Sequence, residues 1–168
     1  MNYQELNSPN QPKDIEAKLL EFCQTVPDKD AANSEKNLPT GFLQEFFQFD
    51  SPEYLINWIK ENLPLESGYV VQLQVWRHID QAMRHKDVRR DFSFNYLLMD
   101  HSGITRWFED DGSLIETVKY KSKKWYKHIG GEKYHDVIDV GNFRPAVTIY
   151  YPVENTTNKQ VFWKPPKA

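Results

Sequence analysis

From Gly68 to Tyr151 the chain repeats with a period of two, and this pattern restricts the fold more than any other feature of the sequence. The segments YVVQLQVW, FSFNYLLM, ITRWFED, LIETVKY, KKWYKHI, YHDVIDV and PAVTIYY are rich in β-branched and aromatic residues. Turn strings such as DHSG, DDG, GGE and VGN separate them. Alternation puts every second side chain on one face, so seven or eight such strands must bury that face in a sandwich or barrel. The glycines at 130 and 131, and Asn142 after Gly141, are expected where a tight turn needs positive φ.

The period changes before Gly68. Ile15, Leu19, Leu20 and Phe22 recur at helical spacing from Asp14 to about Val26, and Pro27 ends the run. A second helix is expected from about Ser51 to Asn62, with Ser51 as cap and Pro52 in the first turn. Its stripe of Tyr54, Leu55, Trp58 and Ile59 should pack outside the larger sheet and bury Trp58. The stretch from Asp28 to Gly41 reads as a surface loop. With 168 residues the chain suits one domain: a helical part over 1–67, a β core over 68–152 and a tail over 153–168. The expected class is therefore mainly β with N-terminal helices.

Composition narrows the function. Net charge is −3, with Lys and Arg interspersed among Asp and Glu, so a nucleic-acid partner is not expected. The lone Cys23 can form neither an internal disulfide nor a CxxC-type zinc cluster, which suits a reducing compartment. The sequence has no run of about 18 apolar residues and no basic segment leading into an apolar one at its start. A soluble, cytoplasmic protein without a membrane partner is the expectation. Oligomeric state is not legible.

The chemistry is concentrated in a few positions. His78 and Asp80, in RHID after the strand YVVQLQVW, are two apart and can point to one face. A third ligand has to come from a distant strand, and His135 in YHDVIDV is the candidate, fifty-five residues beyond Asp80. Two His and one carboxylate with open positions opposite is the arrangement of non-haem iron oxygenases. Arg144 follows His135 by nine residues. Buried, it would need an anion, and its planar fork suits a carboxylate. The remaining histidines are read differently: His85, in the charged loop QAMRHKDVRR, as solvated or substrate-facing, His101 as a turn residue, and His128 as a lesser candidate for the third ligand.

The segment HDVIDVGNFRPAVTIYY, from His135 to Tyr151, resembles the second-half signature of prolyl-hydroxylase-like 2-oxoglutarate oxygenases, and VWRHID resembles the first-half signature. The resemblance implies a double-stranded β-helix, a jelly-roll or cupin-like barrel. It implies Fe(II) held by His78, Asp80 and His135, and 2-oxoglutarate held by Arg144, with Thr148 as a second contact. On the strand FSFNYLLM it favours the face carrying Asn95, although alternation alone fits either face. The implied reaction is oxidative decarboxylation of 2-oxoglutarate to succinate and CO2 coupled to hydroxylation of a C–H bond. The substrate would be a prolyl or other amino-acid side chain, free or in a peptide or protein, or another small molecule. A cupin-type metal dioxygenase that does not use 2-oxoglutarate, and a non-catalytic β-sandwich binding module, are the alternatives.

Overall fold

The period-two segments form two antiparallel sheets, and the strands that follow Gly68 pass between them. The computed structural model describes residues 1–35, 45–77, 82–87, 90–101, 103–141, 143–153 and 161–167. Its core strands are β4 (Val70–Arg77), β5 (Ala82–Lys86), β6 (Phe92–Leu97), β7 (Ile104–Phe108), β8 (Leu114–Val118), β9 (Trp125–Ile129), β10 (Tyr134–Ile138) and β11 (Phe143–Tyr150). β4, β11, β6 and β9 are neighbours in one sheet, and β5, β10, β7 and β8 in the other. The chain thus changes sheet at every connection except the β7–β8 hairpin, a jelly-roll-like order.

The N-terminal part also supplies strands, which composition did not signal. β1 (Tyr3–Glu5) pairs with β9, while β2 (Asn33–Glu35) and β3 (Glu45–Asp50) extend the sheet beyond β4. The larger sheet therefore has seven strands. A last short strand, β12 (Val161–Phe162), lies along β5 and makes the smaller sheet five-stranded.

Helices α1 (Lys13–Thr25) and α2 (Glu53–Asn62) cover the outer face of the larger sheet. Leu19 and Cys23 of α1, with Leu55 and Ile59 of α2, pack on Phe47, Leu73, Val75, Tyr96, Val147 and Ile149. Removing this much aromatic and aliphatic surface from water is the main stabilising term. Trp58 is only half-buried: it lies at the margin of the contact, and Leu55 and Ile59 form the buried stripe. Ser51 makes no capping hydrogen bond, and Pro52 occupies the cap position. Among the described residues no helix is long and apolar enough to cross a membrane.

Alternation sends the other face of the same strands inward. Val75 of β4 packs under the helices, whereas Gln74 and Trp76 line a cavity between the sheets. On β6, Tyr96 belongs to the helix-side core, and Ser93 and Asn95 line the cavity. On β11, Val147 and Ile149 face the helices and Arg144 faces the cavity.

Candidate metal centre

On the cavity wall His85, Asp87 and His135 converge, each offering one ligand atom, all within 4.8 Å of one another. β10 places His135 opposite His85 on β5 and Trp107 on β7. The register slips between the His85–His135 and Ala82–Val137 pairs, giving β5 one residue more than β10. Such a bulge re-aims side chains. Here it brings both Ala82 and His85, three positions apart, to the cavity.

Backbone carbonyls orient both rings. His85 Nδ1 lies 2.6 Å from the Met83 carbonyl, and His135 Nδ1 lies 3.5 Å from that of Lys133. In the neutral ring, a proton on Nδ1 directed at a carbonyl leaves Nε2 as the electron-pair donor. His85 Nε2 is 3.3 Å from Asp87 Oδ1 and His135 Nε2 is 3.9 Å from it. Three electron-pair donors therefore meet where only a proton or a cation relieves their repulsion. Burial, with His85 nearby, lowers His135 to about 4, so at neutral pH that imidazole does not supply the charge. Two imidazoles and a carboxylate suit an iron-class divalent ion.

Asp87 is prepared for the role of anion. Burial acts to raise its carboxyl, yet Arg90 and the hydrogen bond with His85 hold it well below the usual carboxylate range. Arg90 Nε lies 3.3 Å from Oδ2, which leaves Oδ1 toward the imidazoles. The Asp87 amide donates to the Gly130 carbonyl at 2.8 Å. A Cβ at Gly130 would stand 2.0 Å from Asp87 Oδ2, so this glycine is required by close approach; its φ is not positive, and neither is that of Gly131. Replacing Gly130 with Ala should displace the Asp87 carboxylate and lower bound iron well below the parent value, measured by metal analysis after desalting. Full occupancy in that variant would show that the carboxylate is not needed where it lies.

The same cavity is lined by Arg144, buried and stacked over Trp76 at 4.4 Å. No described carboxylate lies within ion-pair distance of it, and its Nε has no hydrogen-bond partner. Burial lowers it to about 10, which leaves the guanidinium charged. A buried, uncompensated cation is costly unless an anion completes it. Behind the cavity wall, Thr148 donates to Asn95 Oδ1 at 2.8 Å, and Asn95 Nδ2 donates to Ser93 Oγ at 2.9 Å. Asn95 lines the cavity, whereas Thr148 is fully buried beneath it.

Of the residues expected from sequence, the structure gathers His135, Arg144 and Asn95 around one cavity. His78 and Asp80 lie outside the described residues. His85, read from sequence as solvated or substrate-facing rather than as a ligand, is packed on His135 with ring centroids 4.4 Å apart. The signal that could have found it was in plain view: His85-Lys86-Asp87 is a second HxD, seven residues after the first. Its strand was hidden because Arg84, His85 and Lys86 give β5 no apolar alternation. Arg84 lies over the Phe108 ring at 3.4 Å, and Lys86 over Tyr134 at 4.4 Å, so the charges cover the outer face. Arg106, another possible carboxylate holder, is paired with Asp136 through two hydrogen bonds of 2.8 Å.

His101 lies near Arg144, and burial followed by that guanidinium lowers its imidazole to about 4. Its Nδ1 accepts from the Gly103 amide at 2.8 Å, a bond that requires an unprotonated Nδ1. An unfolded His titrates near 6.5, so between about 6.5 and 4 the unfolded chain binds more protons. Stability from this group is present above that window and is lost as pH falls through it. The urea midpoint of the metal-free protein should fall between pH 7.5 and 5, and His101→Asn should flatten the fall. A parent midpoint that holds steady would contradict this.

The two sheets define a jelly-roll-like architecture, with His85, Asp87, His135 and Arg144 on one cavity between them. The chain has the fold of prolyl-hydroxylase-like 2-oxoglutarate oxygenases, as comparison with solved structures shows. A Pseudomonas putida prolyl-4-hydroxylase superposes with a TM-score of 0.59 at 18% identity, covering 90% of this chain and 93% of that one. A Trichoplax adhaerens prolyl hydroxylase, solved with a peptide fragment of the hypoxia inducible factor oxygen degradation domain, gives 0.61 at 11% identity, covering 90% and 83%. A Burkholderia pseudomallei oxidoreductase of the 2OG-Fe(II) oxygenase family gives 0.60 at 14% identity, covering 94% and 87%. No family model and no curated protein matches the sequence.

Proposed function

We propose that this protein is an Fe(II)- and 2-oxoglutarate-dependent oxygenase that hydroxylates a C–H bond of an amino-acid side chain, with a prolyl residue of a peptide as the first substrate to test. The observation that carries the reading is that one cavity is lined by three convergent ligand atoms, of His85, Asp87 and His135, and by the buried Arg144 guanidinium, which has no described carboxylate within ion-pair distance. Iron would bind the three ligand atoms, and the distal carboxylate of 2-oxoglutarate the guanidinium. The prolyl hydroxylases among the structural neighbours, one of them in complex with a peptide fragment, support the substrate class.

When bound, the metal and 2-oxoglutarate together supply the oxidising chemistry, yielding succinate and CO2. The chain's own residues bind and orient. In this reading Asp87 gives the metal site its anionic ligand, and Arg90 holds that carboxylate by its outer oxygen. The Met83 and Lys133 carbonyls fix the imidazole tautomers. Arg144 fixes the far end of the cosubstrate, and Trp76 and Val137 keep water out of the cavity wall. Thr148 would act through Asn95.

The test is iron- and O2-dependent conversion of 2-oxoglutarate to succinate, with and without proline-containing peptides. Succinate that rises with one peptide, together with a mass gain of one oxygen on it, is the expected result. A protein that binds iron but neither binds nor consumes 2-oxoglutarate would belong with metal dioxygenases of the cupin type. That reading leaves Arg144 without an anion, and the structure favours it less.

A further inference from the structure

Two of the three candidate ligands, His85 and Asp87, sit on or just after β5, and β5 is weakly built. Its five residues carry no apolar alternation, and a bulge interrupts its ladder with β10, whereas β10 pairs with β7 without a break from Tyr134 to Ile138. Local opening begins in strands of this kind, which bury few apolar side chains. Opening of β5 would carry His85 and Asp87 away from His135.

The outer edge of β5 is covered by β12. Val161 pairs with Lys86 and Phe162 with His85, and the Trp163 amide extends the ladder by donating to the Arg84 carbonyl at 3.0 Å. The cross-strand pair puts the Phe162 ring 6.3 Å from that of His85. Trp163 is also fastened beyond β10, where its indole Nε1–H donates to the Asp110 carbonyl, in the β7–β8 turn, at 3.1 Å. A Cβ at Gly112 of that turn would stand 2.6 Å from the indole Cζ2, so the turn leaves room for the ring. Arg84 links the two anchorages. Its guanidinium lies 4.6 Å from the Trp163 ring and 3.4 Å from that of Phe108 on β7, and its Nε is 3.7 Å from Asp136 of β10.

We propose that residues 161–163 form a strap that holds the ligand strand β5 closed, with Trp163 as its anchor, and so sets how long the metal stays bound. This positioning role rests on the metal site of the oxygenase reading. The strap is separable from the rest of the fold, because neither Phe162 nor Trp163 belongs to a buried core cluster among the described residues. Its contacts are ladder hydrogen bonds, one indole hydrogen bond and a ring against a guanidinium, each worth roughly two- to tenfold in an equilibrium. Losing the Trp163 side chain should therefore loosen β5 and leave the larger sheet as it is. Coupling of this kind is reciprocal: a metal that ties β5 to β10 also stabilises the docked strap.

The experiment compares the full chain as parent, Trp163→Ala and Trp163→Phe. Amide hydrogen exchange is read by mass spectrometry on the metal-free proteins, and release of iron(II) from the loaded proteins to a chromogenic chelator is followed without oxygen. Trp163→Ala should speed both exchange in residues 82–86 and iron release by about tenfold, while β4 and β11 exchange as in the parent. Trp163→Phe keeps a ring for Arg84 and loses the indole N–H, so it should recover part of both effects. Iron added to the parent should slow exchange in residues 161–163. Unchanged exchange in β5, a rise shared equally by all strands, or faster exchange in β5 with unaltered iron release each overturns the proposal. A parent that holds no iron refutes the metal reading and takes the strap's role in retention with it; iron held by the parent and released no faster by Trp163→Ala rejects the strap alone. Should Trp163→Ala not fold, Trp163→Phe decides by the same readouts: a smaller rise confined to β5 and to iron release supports the strap, and no rise or a general one rejects it.

Discussion

Asp87→Ala should abolish stoichiometric iron binding, while Asp80→Ala should leave one iron per chain. The two HxD sequences, His78-Ile79-Asp80 and His85-Lys86-Asp87, offer the same chemistry at the same internal spacing, so local sequence does not choose between them. Geometry favours the second. Asp87 Oδ1 faces both imidazoles, Arg90 holds Oδ2, and the Asp87 amide donates to the Gly130 carbonyl. Losing it removes the anionic ligand and leaves Arg90 beside two imidazoles, a repulsive set for any cation. Even outer partners of metal ligands cost about 10–100-fold in affinity, so deleting this ligand should cost more than about 100-fold. The measurement is iron titration of Asp87→Ala, His85→Ala, Asp80→Ala and His78→Ala, with folding checked by circular dichroism. Iron retained in Asp87→Ala and lost in Asp80→Ala would return the site to the first HxD.

The two HxD sequences also mark how far the sequence could be read. The strands with apolar alternation were legible, and so was the long-range partner His135, because YHDVIDV keeps the pattern while carrying a ligand. β5 was not legible. Its outer face is covered by Arg84 over Phe108 and Trp163, and by Lys86 over Tyr134, contacts in which charged stems replace aliphatic side chains. A bulge then breaks its period. Periodicity finds strands through the residues they bury, and β5 buries a ligand. The same logic hid Tyr120, which sits outside any strand and reaches the cavity from a connecting segment. Gly130 was noticed for the wrong reason: a glycine can be required by a neighbour's atoms as well as by φ, and only coordinates tell these apart. On β6, alternation defined two faces equally well; the helices on Tyr96 and Leu98 decide that Asn95 looks inward.

Arg144→Ala should separate cosubstrate from metal. The guanidinium is buried against Trp76, and no described carboxylate compensates it. In the proposed complex its partner is the distal carboxylate of 2-oxoglutarate. Deleting one side of a buried charged pair costs about 3–5 kcal/mol, so affinity for 2-oxoglutarate should fall by roughly two to three and a half orders of magnitude. Iron should stay, because the three donor atoms belong to His85, Asp87 and His135 and none to Arg144. The variant should also be no less stable than the parent when 2-oxoglutarate is absent, since an unpaired buried charge is removed; in its presence the order should reverse, because only the parent gains from the ligand. The metal-to-ligand charge-transfer band of the anaerobic iron(II) protein, followed during 2-oxoglutarate titration, reports the first effect, and thermal unfolding with and without 2-oxoglutarate reports the second. A band of equal strength and midpoint in parent and variant would show that the carboxylate is held elsewhere. Arg106 would not be that holder, because two hydrogen bonds commit it to Asp136.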